Sequence, residues 1–590
     1  MENLELIKPY FKEHLARVSA GFLCLAACDF CQMVVPRIVG LVFDSLEQLE
    51  AGQGSPIFLL LLIILLAFII AFTRWLWRRL VYGFTRILER DLRLKLHQKF
   101  LSLSYGWHQK NLSGDMMALA TNDIESVRMA VGFGLVSLVD ALVLGLSAII
   151  FMLSINPSLS LWAFIPLPLI SVLTAFFGRA IFRRLLEIQN IFGRLTETVR
   201  EQLSGLKVIR AMALEKLSIR EIGKLSRLYQ EKNINLALLS GGFFPVMTLI
   251  TNLTVALTIY IGGQKTIFGE ISPGDFVAFV TYLTLLSWPM LALGITLSLI
   301  QEGLASLKRL GTAMLVNEEQ THPIKADILA PTSSFKIVFN QISFKYPSRD
   351  EWVLKDLNLT LNSALLTAVV GPTGCGKSTL SALLPALLEP TNGKLIIASI
   401  DSRKWPLDRL RALFGYVPQE GHIFTATMRY NLSFGLSNAS EKALLQAAEA
   451  AALPIDKSVF PQGLDTLIGE KGLTLSGGQR QRLSLARALL IDPPYLILDN
   501  TLSAVDAQVE LEIMDNLSRL RPGRGALIIS HRVSSVSKCD FAVVLEDKRV
   551  SMSGEVNSLM KTNGYLKRMA ELSLLGIEAR HWPTKRERGR

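Results

Sequence analysis

Cysteine is scarce in this chain, with five residues among 590: Cys24, Cys28, Cys31, Cys375 and Cys539. Five scattered cysteines do not form the disulfide framework of a small secreted domain, so that class is excluded. The first three have the spacing of an iron–sulfur triad, but they lie in an apolar stretch that would place them on one face of a helix. We therefore interpret the triad as part of a helix-packing surface.

Charged residues are lacking over long runs of the first half. Residues 57–72 are sixteen consecutive apolar residues, and residues 233–264 carry no charged side chain. Residues 336–590, by contrast, have the mixed composition of a soluble domain. Because a single hydrophobic core rarely grows beyond ~250–300 residues, the sequence predicts more than one domain, with the first in a membrane.

Apolar segments of about 20 residues are long enough to cross the hydrocarbon core of a bilayer as helices. Six segments satisfy this condition: 18–41, 56–77, 129–154, 158–178, 241–263 and 276–300. The sequence therefore predicts an α-helical membrane domain with six transmembrane helices in a lipid bilayer. No cleavable targeting segment is expected, because the first apolar segment continues past any plausible cleavage point.

Basic residues are absent between Arg37 and Arg74, while the stretches on the other side of the predicted spans are rich in Lys and Arg. Positive charge marks the cytoplasmic side, so both termini are expected in the cytoplasm. The same distribution accounts for the net charge of +12 without a nucleic-acid partner. Segments 78–128 and 179–232 have helical periodicity, and we expect them to project as long helices into the cytoplasm.

Two carboxylates, Asp29 and Asp140, interrupt predicted membrane spans. Intramembrane carboxylates usually face a cavity or a polar partner. One interpretation is that both line the cavity through which cargo passes. The other is that each makes a structural hydrogen bond between helices, and the sequence does not separate the two.

The second half contains a phosphate-binding motif between a predicted strand at 365–370 and a predicted helix. Glycines allow backbone N–H groups to approach phosphates, Lys377 supplies positive charge, and Ser378 offers a hydroxyl to Mg²⁺. The motif predicts an ATP and Mg²⁺ site. Its residues are Gly371, Pro372, Thr373, Gly374, Cys375, Gly376, Lys377, Ser378 and Thr379.

Two further segments fit the same chemistry. An apolar strand at 495–499 ends in Asp499, the position of a second Mg²⁺ ligand in P-loop enzymes. A Ser-Gly-Gly helix start presents free N–H groups and predicts a second phosphate contact. That segment consists of Leu475, Ser476, Gly477, Gly478 and Gln479. Two phosphate-binding edges on one domain favour a pair of such domains, with each ATP held between them.

Together these motifs resemble those of the ABC transporter superfamily, and the resemblance spans about residues 5–570. The chain resembles an exporter-type half-transporter of bacterial multidrug or lipid exporters. The implied fold is a helical membrane domain followed by an α/β P-loop ABC nucleotide-binding domain. Segments 114–123 and 201–205 resemble the cytoplasmic loops whose coupling helices dock on the nucleotide-binding domains, although Leu119 stands where Arg is common.

The resemblance also implies roles for individual residues. Residues 475–479 match the signature sequence, which completes the ATP site of a partner. Tyr346 would stack on adenine, and Gln419 would contact Mg²⁺ and sense the membrane domain. Ser503 and Asp506 belong to the D-loop, and His531 is the switch histidine that contacts the γ-phosphate.

One residue departs from the family pattern. The family places Glu directly after the Asp that ends the second strand, as general base or polarizer of the attacking water, and this chain has Asn500 there. An amide does not accept a proton, and loss of a general base typically lowers the rate ~10²–10⁴-fold. The chain's own site is therefore expected to bind ATP and to hydrolyse it poorly. Because its signature sequence is intact, the chain is predicted to be the degenerate-site subunit of a heterodimer.

These expectations divide the chain into five parts. They are an amphipathic N-terminal helix at 1–16, the six-helix membrane domain at 17–310, a linker at 311–335, the ATP-binding domain at 336–575 and a basic tail at 576–590.

The predicted function is ATP-driven export of hydrophobic or amphipathic drugs or lipids across the bacterial inner membrane, with a second half-transporter as partner. Three alternatives use the same fold: a lipid flippase, a metal-chelate importer and an ATP-gated channel or regulatory subunit. A soluble ABC ATPase that acts on nucleic acid or ribosomes is disfavoured by the apolar spans.

Overall fold

The computed structural model describes residues 2–50, 56–111, 113–319, 331, 334–347, 350–436, 438–456, 458–469, 475–562 and 564–574. Its residues group into two compact units. The first comprises Met1–Ser102 and Ser113–Val316, and the second comprises Leu103–Leu112 and Asn317–Arg590. The basic tail predicted at 576–590, and residues 320–330 of the predicted linker, lie outside the described residues.

The first unit is helical. A 3₁₀ turn at Glu2–Leu6 precedes its helices, and two π-helical turns lie at Leu119–Asp123 and Ala130–Gly134. The helices are α1 (Lys8–Glu13), α2 (Leu15–Glu50), α3 (Ile57–Ser102), α5 (Ser113–Ala118), α6 (Ile124–Met129), α7 (Leu135–Ile155), α8 (Pro157–Phe164), α9 (Leu167–Ser204), α10 (Leu206–Ala211), α11 (Glu215–Ile267), α12 (Pro273–Leu285) and α13 (Ser287–Leu315). The short helix α4 (Tyr105–Lys110) belongs to the second unit.

Four helical stretches among the described residues are long and apolar enough to cross a membrane: Leu15–Leu46, Ile57–Ser102, Ser113–Ile155 and Glu215–Ile267. The predicted count of six is therefore not confirmed. The two remaining segments, 158–178 and 276–300, fall across helix interruptions between α8 and α9 and between α12 and α13. The first interruption has a local cause, because Pro166 lacks the N–H that an uninterrupted helix would use.

Helix α2 is the packing centre of the first unit, with α3, α7 and α12 against it. Cys28 is buried with Leu25, Trp77 and Val81, and Cys24 packs beside them. The cysteine face therefore packs against other helices, as the sequence predicts. Farther along α2, the hydroxyl of Tyr282 donates a hydrogen bond of 2.8 Å to the Met33 carbonyl and so ties α12 to α2.

The second unit contains two sheets. The strands are β1 (Lys336–Phe344), β2 (Leu354–Asn362), β3 (Leu366–Val370), β4 (Asn392–Ile397), β5 (Ile400–Asp401), β6 (Phe414–Val417), β7 (Tyr495–Asp499), β8 (Ala526–Ile529), β9 (Phe541–Glu546) and β10 (Arg549–Glu555). One sheet is antiparallel, with the order β2-β1-β4-β5, and the other has the order β10-β9-β3-β8-β7-β6.

Strands β9, β3, β8, β7 and β6 of the larger sheet run parallel to their neighbours. Every residue of β3, β7 and β8 is buried, which explains why these strands read as continuous apolar runs. The helices of this unit are α14 (Lys377–Leu383), α15 (Leu407–Ala412), α16 (Met428–Leu432), α17 (Glu441–Ala450), α18 (Gly477–Leu490), α19 (Ala507–Leu520), α20 (Val533–Val536), α21 (Val556–Lys561) and α22 (Tyr565–Leu574). The carboxyl ends of the parallel strands meet at one sheet edge, where ligands bind in open α/β sheets.

Candidate functional site

The phosphate-binding loop leaves the carboxyl end of β3 and enters α14 at Lys377. Gly374 and Gly376 have φ angles of +81° and +103°, a backbone region that residues with a side chain rarely adopt. A Cβ atom on Gly376 would also lie 2.7 Å from the side chain of Leu354. The glycines are therefore required by the backbone conformation of the loop as well as by access for phosphates.

Lys377 and Ser378 lie where the motif predicts them. The Lys377 ammonium donates hydrogen bonds of 2.8 Å to the carbonyls of Gly371 and Pro372, so it folds back over the loop. The Ser378 hydroxyl donates a hydrogen bond of 2.9 Å to Asp499 at the end of β7. A hydroxyl and a carboxylate side by side form a donor set that suits Mg²⁺.

Burial shifts the titration of both charged groups. It lowers the pKa of Lys377 and raises the pKa of Asp499, while hydrogen bonds from Ser378 and Ser381 oppose the shift of Asp499. A cation and an anion that are both penalised by burial would gain from a bound ligand that pairs with each of them. Phosphate oxygens and Mg²⁺ meet that requirement.

The sheet order brings the other predicted residues to the same edge. Asn500 follows β7, His531 lies two residues beyond β8, and Gln419 lies two residues beyond β6. Strands β3, β8, β7 and β6 are successive neighbours. Tyr346 also reaches the loop, because its hydroxyl lies 3.2 Å from the Thr379 hydroxyl.

Asn500 has a left-handed backbone, with φ of +49°. Its N–H donates a hydrogen bond of 3.2 Å to the Ile529 carbonyl, which fixes the turn after β7. Asn adopts this conformation more readily than most residues with a side chain. Asn500 and His531 line one small cleft, so the amide lies beside the predicted γ-phosphate contact.

The signature residues form the start of α18. Ser476 and Gln479 make a reciprocal capping box: the Gln479 N–H donates to the Ser476 hydroxyl at 3.2 Å, and the Ser476 N–H donates to the Gln479 side chain at 2.8 Å. Leu475 is buried and anchors the segment, whereas Ser476 is exposed. The helix start is therefore rigidly formed and open to another molecule.

The D-loop lies against this helix start. A Cβ on Gly478 would come within 2.9 Å of the Ala504 carbonyl, so a side chain there would displace the D-loop. Asp506 is exposed and makes no capping hydrogen bond to α19. Ser503 accepts a hydrogen bond of 3.2 Å from Gln481 on α18.

Sequence reasoning missed three residues near these loops: Gln481, Glu510 and Arg532. Arg532 donates hydrogen bonds to the Val505 carbonyl at 2.6 Å and to Glu510 at 2.8 Å. Its place directly after His531 was the one available signal. Glu510 lies in an amphipathic helix pattern that marks no function.

In the first unit, α2 and α7 bring together the two carboxylates singled out from the sequence. The carboxyl groups of Asp29 and Asp140 lie close enough to interact with each other. Asp29 is 3% exposed, and among the described residues its Oδ2 atom has no hydrogen-bond partner. The contact joins the two helices, and a role of the pair in a transport cavity stays a prediction.

Comparison with known proteins follows the same division of the chain. Residues 18–290 match the family model of the ABC transporter transmembrane region, and residues 354–503 match that of the ABC transporter domain. Among solved structures, a bacterial Atm1-family ABC exporter with ATP bound is 24% identical and has a TM-score of 0.79, over 95% of this chain and 99% of that chain. These matches confirm the predicted fold class, a helical membrane domain followed by a nucleotide-binding domain.

Curated relatives match over most of their length. The "Probable multidrug resistance ABC transporter ATP-binding/permease protein YheI" of Bacillus subtilis (strain 168) is 32% identical over 564 residues, which cover 95% of this chain and 96% of the relative. The multidrug resistance-like ATP-binding protein MdlA of Escherichia coli (strain K12) is 30% identical, and 98% of each chain is covered. The ATP-dependent lipid A-core flippase of Syntrophus aciditrophicus (strain SB) is 33% identical over 82% of this chain and 80% of the flippase.

Proposed function

The chain belongs to the ABC transporter family, and we propose that it is one subunit of a heterodimeric exporter in the bacterial inner membrane. ATP drives the transport of hydrophobic or amphipathic compounds by alternating access. The observation that carries the proposal is the combination of a complete P-loop and signature sequence with Asn500 at the position of the general base.

The chain's own site is equipped to bind ATP. Lys377 and the backbone N–H groups of the glycine loop would hold the phosphates, and Tyr346 would stack on adenine. Ser378, Asp499 and Gln419 would hold Mg²⁺, which neutralises phosphate charge. Two of these three groups, Ser378 and Asp499, already lie in hydrogen-bond contact.

Hydrolysis at that site lacks its proton acceptor. The Asn500 side chain is an amide, which donates and accepts hydrogen bonds but takes no proton at neutral pH. A general base typically contributes ~10²–10⁴ in rate, or roughly 3–5 kcal/mol of barrier. ATP held by this chain would therefore stay bound longer than ATP held by a site with Glu.

The signature sequence would serve the partner's site. Ser476 is exposed, and Gly477 and Gly478 are half-buried beside it. Their N–H groups lie at a helix start, where they can bind the γ-phosphate of ATP held by another P-loop. Their capping box keeps the helix start formed without that ligand. One chain would thus combine an impaired site with the completing half of a competent site.

A second observation concerns the segment that resembles the second coupling loop. The turn that joins α9, α10 and α11 exposes a group of large apolar side chains. They are Leu203 (66% exposed), Val208 (56%), Met212 (66%), Leu217 (50%) and Ile219 (70%). Exposed apolar patches of this kind mark protein interaction sites. This is the region that resembles the second coupling loop, so a nucleotide-binding domain is its expected cover.

The transport cycle follows from two states of the dimer. ATP binding between the two nucleotide-binding domains clamps them together and favours one state of the membrane domains, and hydrolysis in the partner's site releases the clamp. The candidate cargo is taken from the names of the relatives. Two relatives carry the name multidrug resistance, and a third is named a lipid A-core flippase. A lipid is therefore the second candidate cargo.

The test is ATP hydrolysis by the purified chain, alone and co-expressed with a half-transporter that carries Glu directly after its catalytic Asp. In a homodimer every site would pair Asp499 with Asn500, so the lone chain should turn over little ATP. The complex should hydrolyse ATP at a rate usual for exporters. Vigorous hydrolysis by the lone chain would contradict the heterodimer.

A second measurement separates a pump from a channel. Inside-out vesicles that contain the complex should accumulate a fluorescent hydrophobic dye against its gradient when ATP is added. An ATP-gated channel would only equilibrate the dye across the membrane. Replacement of the dye by a fluorescent phospholipid tests the second candidate cargo in the same vesicles.

A further inference from the structure

The D-loop, residues 503–506, is held from two sides by side chains that the proposed function leaves without a role. The first contact is made by Gln481 on α18, the helix that begins with the signature sequence. Its side-chain nitrogen donates to the Ser503 hydroxyl at 3.2 Å, and its side-chain oxygen accepts from the Ala504 N–H at 2.9 Å. The D-loop is therefore tied to the helix that would complete the partner's site.

The second contact is made by Arg532, which directly follows the switch histidine. Its guanidinium donates to the carbonyls of Val505 at 2.6 Å and Ser503 at 3.2 Å. Arginine is the residue type whose side chain presents several N–H donors in a rigid plane. The bonds from Arg532 therefore hold the loop in one orientation. The segment that carries His531 is thereby tied to the same loop.

Glu510 fixes the position of that guanidinium. Its side chain is 0% exposed and accepts hydrogen bonds from Arg532 at 2.8 Å and from the Ser535 hydroxyl. A buried carboxylate is stable only when it is paired and hydrogen-bonded. The pair therefore holds Arg532 in place and opposes its rotation away from the loop.

We infer that Arg532 is a positioning residue that makes the position of this chain's D-loop depend on the position of its own switch histidine. The contacts form a continuous path from His531 through Arg532 and the D-loop to Gln481 on the signature helix. ATP bound at the impaired site would move or hold the His531 segment. Through this path, the bound ATP would set the position of the D-loop and the signature helix, which the chain presents to the partner's competent site.

The inference rests on the proposed function, because it assigns the γ-phosphate contact to His531 and the competent site to the partner. It gives the impaired site a task that needs ATP binding and no hydrolysis. A poorly hydrolysing site is suited to this task, since its ATP stays in place during turnover in the partner's site.

The first experiment uses the full-length chain alone in nanodiscs. Hydrogen exchange of a peptide that covers residues 501–507 is measured with and without ATP and Mg²⁺. We expect ATP to slow exchange of this peptide about tenfold or more in the parent chain. In Arg532→Ala that slowing should vanish, while the Kd for ATP changes by no more than about twofold. Equal slowing in the two chains would overturn the inference.

Two milder variants guard against a folding defect. Arg532→Lys keeps the charge but cannot reach the two carbonyls and Glu510 together, and Glu510→Gln keeps the shape but weakens the ion pair. Both should show an intermediate loss of the ATP effect. If both respond to ATP as the parent chain does, the planar guanidinium is not needed and the inference fails. Lys538→Ala removes an exposed ion pair with Asp515 (2.8 Å) and should leave the ATP effect unchanged.

The second experiment measures ATP turnover by the complex with the partner half-transporter. Arg532→Ala should lower kcat about tenfold and leave KM for ATP within about twofold, the pattern of a misplaced catalytic contact. The parent complex separates the two hypotheses. If the parent complex fails to hydrolyse ATP, the proposed function fails. If it hydrolyses ATP and Arg532→Ala keeps its kcat, the positioning role alone fails.

Discussion

The nucleotide-binding unit has two candidate phosphate-binding edges that are built in different ways. The P-loop edge comprises residues 371–379 with Asp499, Asn500 and His531, and the signature edge comprises residues 475–479. The P-loop edge rests on buried parallel strands, and its charged groups are shifted by burial. The signature edge is an exposed helix start whose polar groups satisfy each other in a capping box.

This difference separates binding from chemistry within one chain. With Asn at position 500, the strands, the glycine loop and the contact between Ser378 and Asp499 are all formed. The amide of Asn500 accepts no proton at neutral pH. The signature edge contains no titratable side chain and depends on backbone geometry. The lack of a proton acceptor at position 500 therefore leaves the signature edge unchanged. Under the proposed function, such a chain would lose its own hydrolysis and would still complete the ATP site of a partner.

The largest expected effect comes from Gly477→Asp at the signature edge. A carboxylate at this helix start would repel the γ-phosphate and obstruct the backbone approach to it. Contacts of this kind are worth ~3–4 kcal/mol in a transition state, so turnover of the complex should fall about 10²–10³-fold. Lys377→Ala at the P-loop edge should weaken ATP binding there and leave more residual turnover.

Steady-state ATPase assays of the two mutant complexes measure this contrast. Gly477→Ala serves as the matched control, because a Cβ at this position lies 3.5 Å from the Ala504 side chain, an ordinary contact that the fold tolerates. It should be less damaging than Gly477→Asp. If Lys377→Ala proves more damaging than Gly477→Asp, the competent site has been assigned to the wrong chain.

The next effect is a gain. Asn500→Glu should restore a proton acceptor beside Asp499 and raise hydrolysis at the P-loop edge. The left-handed backbone at position 500 costs Glu roughly 1 kcal/mol more than Asn, so we expect an increase of at least about tenfold out of the ~10²–10⁴ that a general base provides. The assay is ATP turnover of the complex with the partner's catalytic Glu disabled.

Asn500→Gln is the control for that gain, since Gln has the size of Glu without its charge. It should leave turnover low. Absence of any gain from Asn500→Glu, in a complex whose partner has an intact signature sequence, would show that Asn500 is not the defect.

The P-loop edge could be predicted in detail because its residues are close in sequence or follow recognisable strands. The contact between Ser378 and Asp499 is an example, since both ends of it are motif positions. The side-chain contacts that hold the D-loop could not be predicted in the same way. Gln481, Glu510 and Arg532 come from three separate segments, and their contacts depend on how α18 and α19 pack around the sheet.

The membrane unit was less predictable for the same reason. Apolar run length identified the long helices but did not show the interruptions at Pro166 and Leu286, which depend on local backbone geometry. Asp29 and Asp140 were each marked as unusual from the sequence. Their proximity depends on the packing of α2 against α7, which periodicity does not specify.

A smaller effect is expected in the membrane unit. If Asp29 and Asp140 line the cargo path, Asp140→Asn should reduce transport of cationic dyes about fivefold, equivalent to roughly 1 kcal/mol. Transport of neutral dyes and ATP binding should stay unchanged, because Asn keeps the size and the hydrogen-bonding ability of Asp. Asp140→Glu, which retains the charge, should retain cationic transport. Equal loss for both dye classes with reduced expression would instead mark a structural hydrogen bond.

The smallest expected effect is a pH dependence confined to the P-loop edge. Burial raises the pKa of Asp499, and the hydrogen bonds from Ser378 and Ser381 oppose that shift. A carboxylate with a raised pKa takes up its proton at a higher pH than an ordinary Asp, so its binding of Mg²⁺ weakens as the pH falls. As the pH is lowered from about 7.5, the Kd for ATP with Mg²⁺ should rise. The Kd without Mg²⁺ should change less, because the Asp499 carboxylate acts through the metal. An equal rise with and without Mg²⁺ would assign the titration to a group other than Asp499.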